Sequence, residues 1–496
     1  MESNAKILII NPNKWGRGIT HIWIASHTAV LRHNGHDVKL FDCTFYQDWT
    51  VNEVSFNTSN EMYKKSDYDK KISYQKNDIF SDLQSLINDY DPGFIFWSAI
   101  SSHIHGEGEY VNIQYGYQLL DNIKTNAIKV AGGLQVTGQT DSIYDTFPDV
   151  DYFIGGESEL VLNELVNCNL KDESIKEVKG LIYKSDDNKI ISNPRQPIIN
   201  DLDILPPYDY SIFEEKVFFR PYNGKVVKAV DYELSRGCLY ACDYCVETVI
   251  QSYYGLHNVI PGSGTIANPK KYLRHKSAKR IFYEISTLHN EYGIELFRCQ
   301  DTNFLTIHKG TLKELAELID KSKMKIFLYI ETRPEGINKL SLNLLKKLKV
   351  DGVGMGIELS TQEFREEKLR RYANQDKIIN AFKMLREYGI NRTAYNIIGL
   401  PEQDEDSILE TIRFNQTLDP DNVTVAFYSP YIGTQQQKRG NELGYFNDYE
   451  YHVDSALRSL SQHSLVDLDK LSFYKSNFTN FVRNGIPKNI DQLSLK

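Results

Sequence analysis

One pattern limits what this chain can fold into more than any other. Short apolar runs of strand length, each trailed by a segment of helical spacing, repeat along most of the sequence. Lys6–Asn11 (KILIIN) is an apolar run closed by Asn-Pro and reads as a buried strand. Residues 19–32 follow with Ile22, Ala25, Ala29 and Val30 spaced for one face of a helix, and Gly35 suits its C-terminal cap. Asp37–Asp42, 93–99, 128–131 and 151–154 continue the strands, with helical segments near 79–90, 110–124 and 157–167. Five strands alternating with helices predict a doubly wound parallel sheet of Rossmann-like type, which binds ligands at the carboxyl ends of its strands. Residues 44–75, rich in Asn, Ser, Lys, Asp and Tyr, read as a long surface insertion. Polar turns at Ser185-Asp186-Asp187-Asn188 and Asn193-Pro194-Arg195 predict a connector with a hairpin, ending at Pro206-Pro207.

The alternation then restarts. Strands are expected at 230–235, 294–301, 325–332, 352–359, Asn391–Ile398 and 423–429, with helices near 277–292, 309–322, 338–348, 374–388 and 404–418. Six strands with crossover helices predict a partial (β/α)6 barrel of TIM type, with its chemistry on the C-terminal strand ends. The expected α/β chain thus divides into 1–167, 168–222, 223–434 and 435–496, the last a polar and aromatic region that caps the site or meets substrate.

Three thiols leave the first barrel strand. Cys238, Cys242 and Cys245 stand at C-x3-C-x2-C spacing, entered by Ser235-Arg236-Gly237. A short loop can fold such a group around one point, which suits zinc or iron–sulfur ligation. A disulfide framework is disfavoured, since three is odd and nothing suggests secretion. A closed zinc site takes a fourth protein ligand, but only Cys43, Cys168 and Cys299 remain, and no two are close in sequence. Three thiolates on a [4Fe–4S] cube would leave one iron open to a substrate or cofactor. Zinc stays as the alternative. Cys299 reads as a buried or barrel-lining thiol, and Cys43 and Cys168 as inert.

Composition narrows the function classes. At 496 residues the chain has length for two or three domains, and its formal net charge of −9 argues against a nucleic-acid binder that works by phosphate neutralisation. Apolar stretches such as Phe94-Ile95-Phe96-Trp97 are far too short to span a bilayer. The first residues run directly into a strand without a signal-peptide core, and with free thiols this predicts a reducing, cytoplasmic location.

The cysteine spacing, with Tyr244 just before the third thiol, resembles the signature of radical S-adenosylmethionine enzymes. In that family the open iron takes the amino and carboxylate groups of S-adenosylmethionine, so the resemblance implies Cys238, Cys242 and Cys245 as ligands of a catalytic [4Fe–4S] cluster. The cofactor's amino group needs acceptors, which Asp301 and Asn303 could supply, and its carboxylate needs a cation, for which Arg333 and Arg371 are candidates. Glu358 is the polar group available for the ribose, and Tyr244 and Ile398 complete the expected binding set. These positions resemble the family's f-DD-nF, GIES and GlPgE segments, with Leu359 where Ser is usual and Thr302 where a second acid is common.

The resemblance extends upstream, from about residue 6 to 435. Residues 149–159 (DVDYFIGGESE) are similar to a segment of cobalamin-binding domains that precede radical S-adenosylmethionine domains, and Ala131-Gly132-Gly133 to the loop one strand earlier. Residues 180–183 and 201–209 resemble the family's connector, and 428–434 the segment that closes its barrel. Cobalamin is thereby implied, with Asn13, Trp15, Gly16, Ser98, Ser101, Gly132, Gly133, Gly156 and Glu157 as its candidate contacts. No G-x-G-x-x-G follows the first strand, which disfavours a dinucleotide. The loop 11–18 has no Asp or His where mutase-type cobalamin domains carry D-x-H-x-x-G. His21, His103 and His105, near the expected rim, read as surface or hydrogen-bonding residues.

The implied activity is generation of a 5′-deoxyadenosyl radical and methylation of an unactivated carbon by methylcobalamin. The substrate would be a small molecule or a lipid-linked precursor, and flavodoxin or ferredoxin the electron donor. Radical cyclisation, rearrangement or oxidation without methyl transfer is the first alternative. A non-catalytic corrinoid- or zinc-binding scaffold is the second.

Overall fold

The computed structural model describes residues 4–98, 109–171, 173–445, 464–488 and 490. β1 (Lys6–Asn11), β2 (Asp37–Asp42), β3 (Phe94–Trp97), β4 (Ile128–Gly132) and β5 (Tyr152–Ile154) pair in parallel in the order β2-β1-β3-β4-β5. β1 is apolar throughout because both its faces are covered. Ile7 and Ile9 pack in one cluster with Trp23, Val161 and Leu165, while Leu8 and Ile10 pack in another with Leu83 and Ile87.

The expected connector hairpin is part of this sheet. β6 (Leu181–Lys184) pairs antiparallel with β5, and β7 (Ile190–Ser192) with β6, making seven strands. Beyond it, Leu202, Leu205, Tyr208, Tyr210 and Phe213 bury into the cluster that holds Ile7 and Ile9, and this cluster continues through Val230 and Ile281. One apolar core therefore runs through both sheets.

In the second sheet β8 (Phe219–Tyr222) pairs antiparallel with β9 (Lys225–Tyr232). A short ladder of β10 (Ser235–Arg236) and β11 (Arg274–His275) flanks the cysteine loop. β12 (Leu296–Cys299), β13 (Phe327–Glu331), β14 (Val350–Glu358), β15 (Asn391–Ile398) and β16 (Asn422–Phe427) continue from β9 in parallel, giving the six strands of a partial barrel. Glycine at alternate positions of β14 opens the lumen. A Cβ on Gly354 would lie 2.5 Å from the Tyr395 ring and 2.8 Å from the Tyr329 hydroxyl. Those hydroxyls bond each other at 2.7 Å, and Tyr395 also donates to Glu331 Oε1 at 3.1 Å.

Two expectations need correction. The insertion is not a surface loop: Glu53, Met62 and Tyr68 are buried, because Glu53 pairs with Arg17 and the Tyr68 hydroxyl accepts from the Gly18 amide. In the C-terminal region, the helix Leu468–Asn484 packs against β16 and the helix Glu405–Leu418, on the flank of the barrel. Residues 446–463 lie outside the described residues. Among the described residues no helix is long and apolar enough to cross a membrane.

Candidate active site

A cavity of about 440 Å³ occupies the barrel lumen and reaches the loop after β1. Cys238, Cys242 and Cys245 line it. Their loop is tightly braced. Gln251, fully buried, donates to the carbonyls of Cys238 and Tyr240 at 2.9 and 3.0 Å. The amides of Ala241 and Asp243 bond Gly264 and Leu369, and that of Cys245 bonds Cys242. Gly237 turns at φ +94°, where a Cβ would strike the Tyr272 carbonyl at 2.5 Å, so the turn into the loop requires glycine.

Burial pushes the Cys238 thiol up to about 12 and Cys245 upward as well, so metal loading must displace protons here. Among the described residues no three His, Cys, Asp or Glu side chains are grouped to hold a single metal ion. The three thiols line the one cavity. Arg333 stands beside them, its NH1 3.5 Å from Cys242 Sγ and its guanidinium 3.7 Å from the centre of the Tyr240 ring.

A second polar group faces the thiols from β14. The Tyr244 hydroxyl donates to Glu358 Oε1 at 2.8 Å, and Arg371 Nε lies 3.7 Å from the same oxygen. Glu358 sits at φ +63°, beside a register shift between β14 and β15. Gly356 makes room for its carboxylate, since a Cβ there would be 2.1 Å from Oε1. Arg371 donates through NH2 to the Gly356 carbonyl, while its buried Nε has no hydrogen-bond partner. That N–H, ion-paired with Glu358 but making no hydrogen bond, suits the carboxylate of an amino-acid-like cofactor.

Tyr244, Arg333, Glu358 and Arg371 thus converge with the three cysteines on one cavity, and three other expected contacts do not. Asp301 is fully buried under the loop, where it accepts from the Leu234 amide and the Ser235 hydroxyl; burial raises its carboxyl to about 7. Asn303 is spent on Thr332, whose hydroxyl donates to its Oδ1 at 2.7 Å. Ile398 faces the C-terminal helix cluster with Ile408 and Leu471, and its neighbour Ile397 lines the cavity instead. Cys299 is buried beside the Phe297 carbonyl.

The first-domain candidates also divide. Trp15 lines the cavity, and Gly16 holds a left-handed turn at φ +66° beside it. Asn13 is a brace, its amide bonded to the Arg17 carbonyl and Thr44 and its oxygen to the Trp15 amide. Ser98, Gly132 and Ser158 form a nook at the strand ends, with a Gly132 Cβ position 3.3 and 3.5 Å from the two serine hydroxyls, and Gly133 turns at φ +115° beside it. Gly156 and Glu157 face the second domain. A Cβ on Gly156 would lie 2.5 Å from the Tyr254 hydroxyl, and Glu157 is paired with Arg274 and Arg236. Ser101, His103 and His105 lie outside the described residues. His21 is no surface residue: it is buried, lines the cavity and leaves Nε2 without a partner.

Arg17, Glu53, Arg220, Arg298 and Tyr395 line the same cavity and escaped the sequence reading. The barrel members carried a signal, since polar side chains at alternate strand positions, such as Thr393, Tyr395 and Arg298, mark a wet lumen. Arg17 and Glu53 carried none, because only the fold carries their loops to the barrel.

Fold and site together define a class. Residues 232–414 match the family model of the Radical SAM superfamily, so this part of the chain is a radical SAM domain and the protein is an enzyme. The family implies a [4Fe–4S] cluster and S-adenosylmethionine. The chain is similar, at 26% identity over 356 residues, to an uncharacterized methyltransferase of Pyrococcus horikoshii, covering 72% of this chain and 71% of that one. It is 23% identical over 421 residues to the anaerobic magnesium-protoporphyrin IX monomethyl ester cyclase of Rubrivivax gelatinosus, covering 83% and 70%. Among solved structures it resembles the radical S-adenosylmethionine methyltransferase TsrM of Kitasatospora setae, with cobalamin and [4Fe–4S] cluster bound. The TM-score is 0.64 at 15% identity, over 90% of this chain and 80% of that one. The cobalamin-dependent radical enzyme OxsB, solved with aqua-cobalamin and S-adenosylmethionine, matches with a TM-score of 0.65 at 14% identity, over 99% and 70%. These likenesses give the fold: a Rossmann-like domain followed by a partial barrel.

Proposed function

We propose that the protein is a cobalamin-dependent radical S-adenosylmethionine enzyme that methylates an unactivated carbon of a small-molecule or lipid-linked substrate. The observation that carries this reading is the meeting of Cys238, Cys242 and Cys245 with Arg333, Glu358 and Arg371 on one lumen. When bound, the cluster with S-adenosylmethionine supplies radical chemistry, and cobalamin supplies a transferable methyl group.

The chain's own residues do the holding. Gln251 and the loop amides fix the three thiols, and Arg333 offsets their negative charge once they are deprotonated. Arg371 Nε, ion-paired with Glu358 at 3.7 Å but without a hydrogen bond, would take the S-adenosylmethionine carboxylate, while Tyr244 aims Glu358 at the ribose. The enclosing wall of Tyr329, Tyr395 and Phe427 keeps bulk water from a reactive carbon. Cobalamin would be held by Trp15, Gly16, Ser98, Gly132 and Gly133. Gly156 and Glu157 have their partners already in Tyr254, Arg274 and Arg236 and hold the domains together instead. A small redox protein such as flavodoxin or ferredoxin would deliver the electron.

Anaerobic reconstitution with iron, sulfide and hydroxocobalamin, followed by desalting, an absorbance spectrum and metal analysis, tests the reading. About four irons and one cobalt per chain are expected. Zinc without iron overturns it. A second reading, radical cyclisation without methyl transfer, has support in the cyclase relative aligned over 83% of this chain. Isotope from the methyl group of S-adenosylmethionine enters the product under the first reading and not the second.

A further inference from the structure

The cavity wall that faces the first domain carries polar groups that are not among the expected cofactor contacts. Arg220, on β8, is only 2% exposed, and its NH2 donates to Asp231 Oδ2. Asp231 is saturated: the same oxygen accepts from the Thr20 amide and hydroxyl at 3.1 and 3.2 Å, and Oδ1 accepts from Gln300 at 2.8 Å. Arg220 Nε and NH1 remain buried with no hydrogen-bond partner. His21, 7% exposed on the same cavity, likewise leaves Nε2 without one.

Charge does not oppose this: Arg17, Arg220 and Arg298 face Glu53, Asp231 and Glu331 in equal number, and exposed Lys64 adds a cation at the rim. A buried ionised donor without a partner is costly, and native interiors leave few of them. Waters could take these hydrogen bonds only one by one. An oxyanion can take several at once, and the two unpartnered Arg220 nitrogens, with the His21 nitrogen on the same cavity, suit a carboxylate or phosphate.

We propose that Arg220 and His21, with Arg17 behind them, form an oxyanion subsite, and that the substrate is an anionic molecule whose carboxylate or phosphate docks there. This rests on the lumen being the active site. The subsite holds the substrate against the first-domain wall and leaves Arg333 and Arg371 to the cofactor.

The test uses full-length protein reconstituted anaerobically and saturated with S-adenosylmethionine. Binding of inorganic phosphate and of acetate is titrated by calorimetry, and 5′-deoxyadenosine is assayed in the same samples after dithionite is added as the electron donor. Saturable binding of one anion is expected, weakened about tenfold or more in Arg220→Lys, which keeps a cation for Asp231 but removes the unpartnered N–H groups. Preference between the probes separates a phosphate from a carboxylate substrate. Should Arg220→Lys fail to fold, His21→Leu leaves the Arg220–Asp231 pair intact and should weaken binding about threefold or more. The proposal is overturned if neither anion binds, or if the folded variant binds like wild type. It is also overturned if hydroxocobalamin abolishes binding while cobinamide does not, since the site would then belong to the cofactor's own phosphate. 5′-Deoxyadenosine without anion binding defeats the subsite alone. Anion binding that depends on Arg220, without 5′-deoxyadenosine, defeats the radical reading alone.

Discussion

Gly356→Ala isolates the Glu358 carboxylate with little change to the backbone. Gly356 is not among the residues at positive φ, so alanine meets no conformational penalty; its Cβ, however, would stand 2.1 Å from Glu358 Oε1 and 3.3 Å from Arg371 NH2. The carboxylate must leave, and with it goes the 2.8 Å bond from Tyr244. A hydrogen bond to a charged group contributes about 1.5–3 kcal/mol, which is about 10- to 150-fold in an equilibrium constant. S-adenosylmethionine affinity of the reconstituted protein, measured by equilibrium dialysis, should fall within that range while iron content stays at the wild-type level. Because the effect acts mainly through Glu358, most of it should vanish in a Glu358→Ala background, where the added methyl keeps only its 3.3 Å contact with Arg371 NH2. Equal losses for Gly356→Ala with and without the Glu358 side chain would refute this reasoning. So would a Gly356→Ala protein that binds the cofactor as tightly as wild type.

Three further outcomes are expected. Alanine at Cys238, Cys242 or Cys245 should remove most of the bound iron and its visible absorbance, whereas Cys299→Ala, buried away from the cavity, should retain both. Asp301 is held near 7, above its ordinary carboxyl range, so the folded state keeps a proton that the unfolded chain releases and the group's contribution to stability falls as pH rises from about 4 to about 7. Asp301→Asn should flatten that part of the denaturation profile, by a term on the order of 4 kcal/mol; an unchanged difference between pH 4.5 and 7.5 would contradict the burial argument. Gly237→Ala should cost about 1–3 kcal/mol from φ +94° alone. It should also shift the cysteine loop off Tyr272, read as a lower melting temperature together with reduced iron uptake.

The fold was largely legible because its signals are local. A strand covered on both faces must be continuously apolar, as Ile7 to Ile10 are, and a helix between two such strands fixes the parallel order. The hairpin at 181–192 was visible as two strands, but its sheet was not, since edge pairing depends on what Phe153 and Ile154 leave uncovered. In the site, the three thiols fall within eight residues and were legible for that reason. Ile398 shows the limit: at the end of a strand the sequence locates the turn, but only the register decides whether 397 or 398 faces the lumen.

By itself, then, the sequence determined what neighbours along the chain can determine: the alternation of elements, the cysteine spacing, the glycines at turns and the acids and arginines at strand ends. Tertiary structure alone decided which of these meet. Asp301 proved to be a brace and Arg371 a cavity residue although both follow barrel strands, because the loop of Leu234 and Ser235 lies over one and not the other. Gly156 and Glu157 turned toward Tyr254 and Arg274, and Arg17, Glu53 and Arg220 came to share one wall from separate parts of the chain. The physical reason is that hydrogen bonds and ion pairs are short in range, so a polar residue's role is set by whichever partner the packed core brings within about 3 Å, and the packing of one domain on another leaves no local trace.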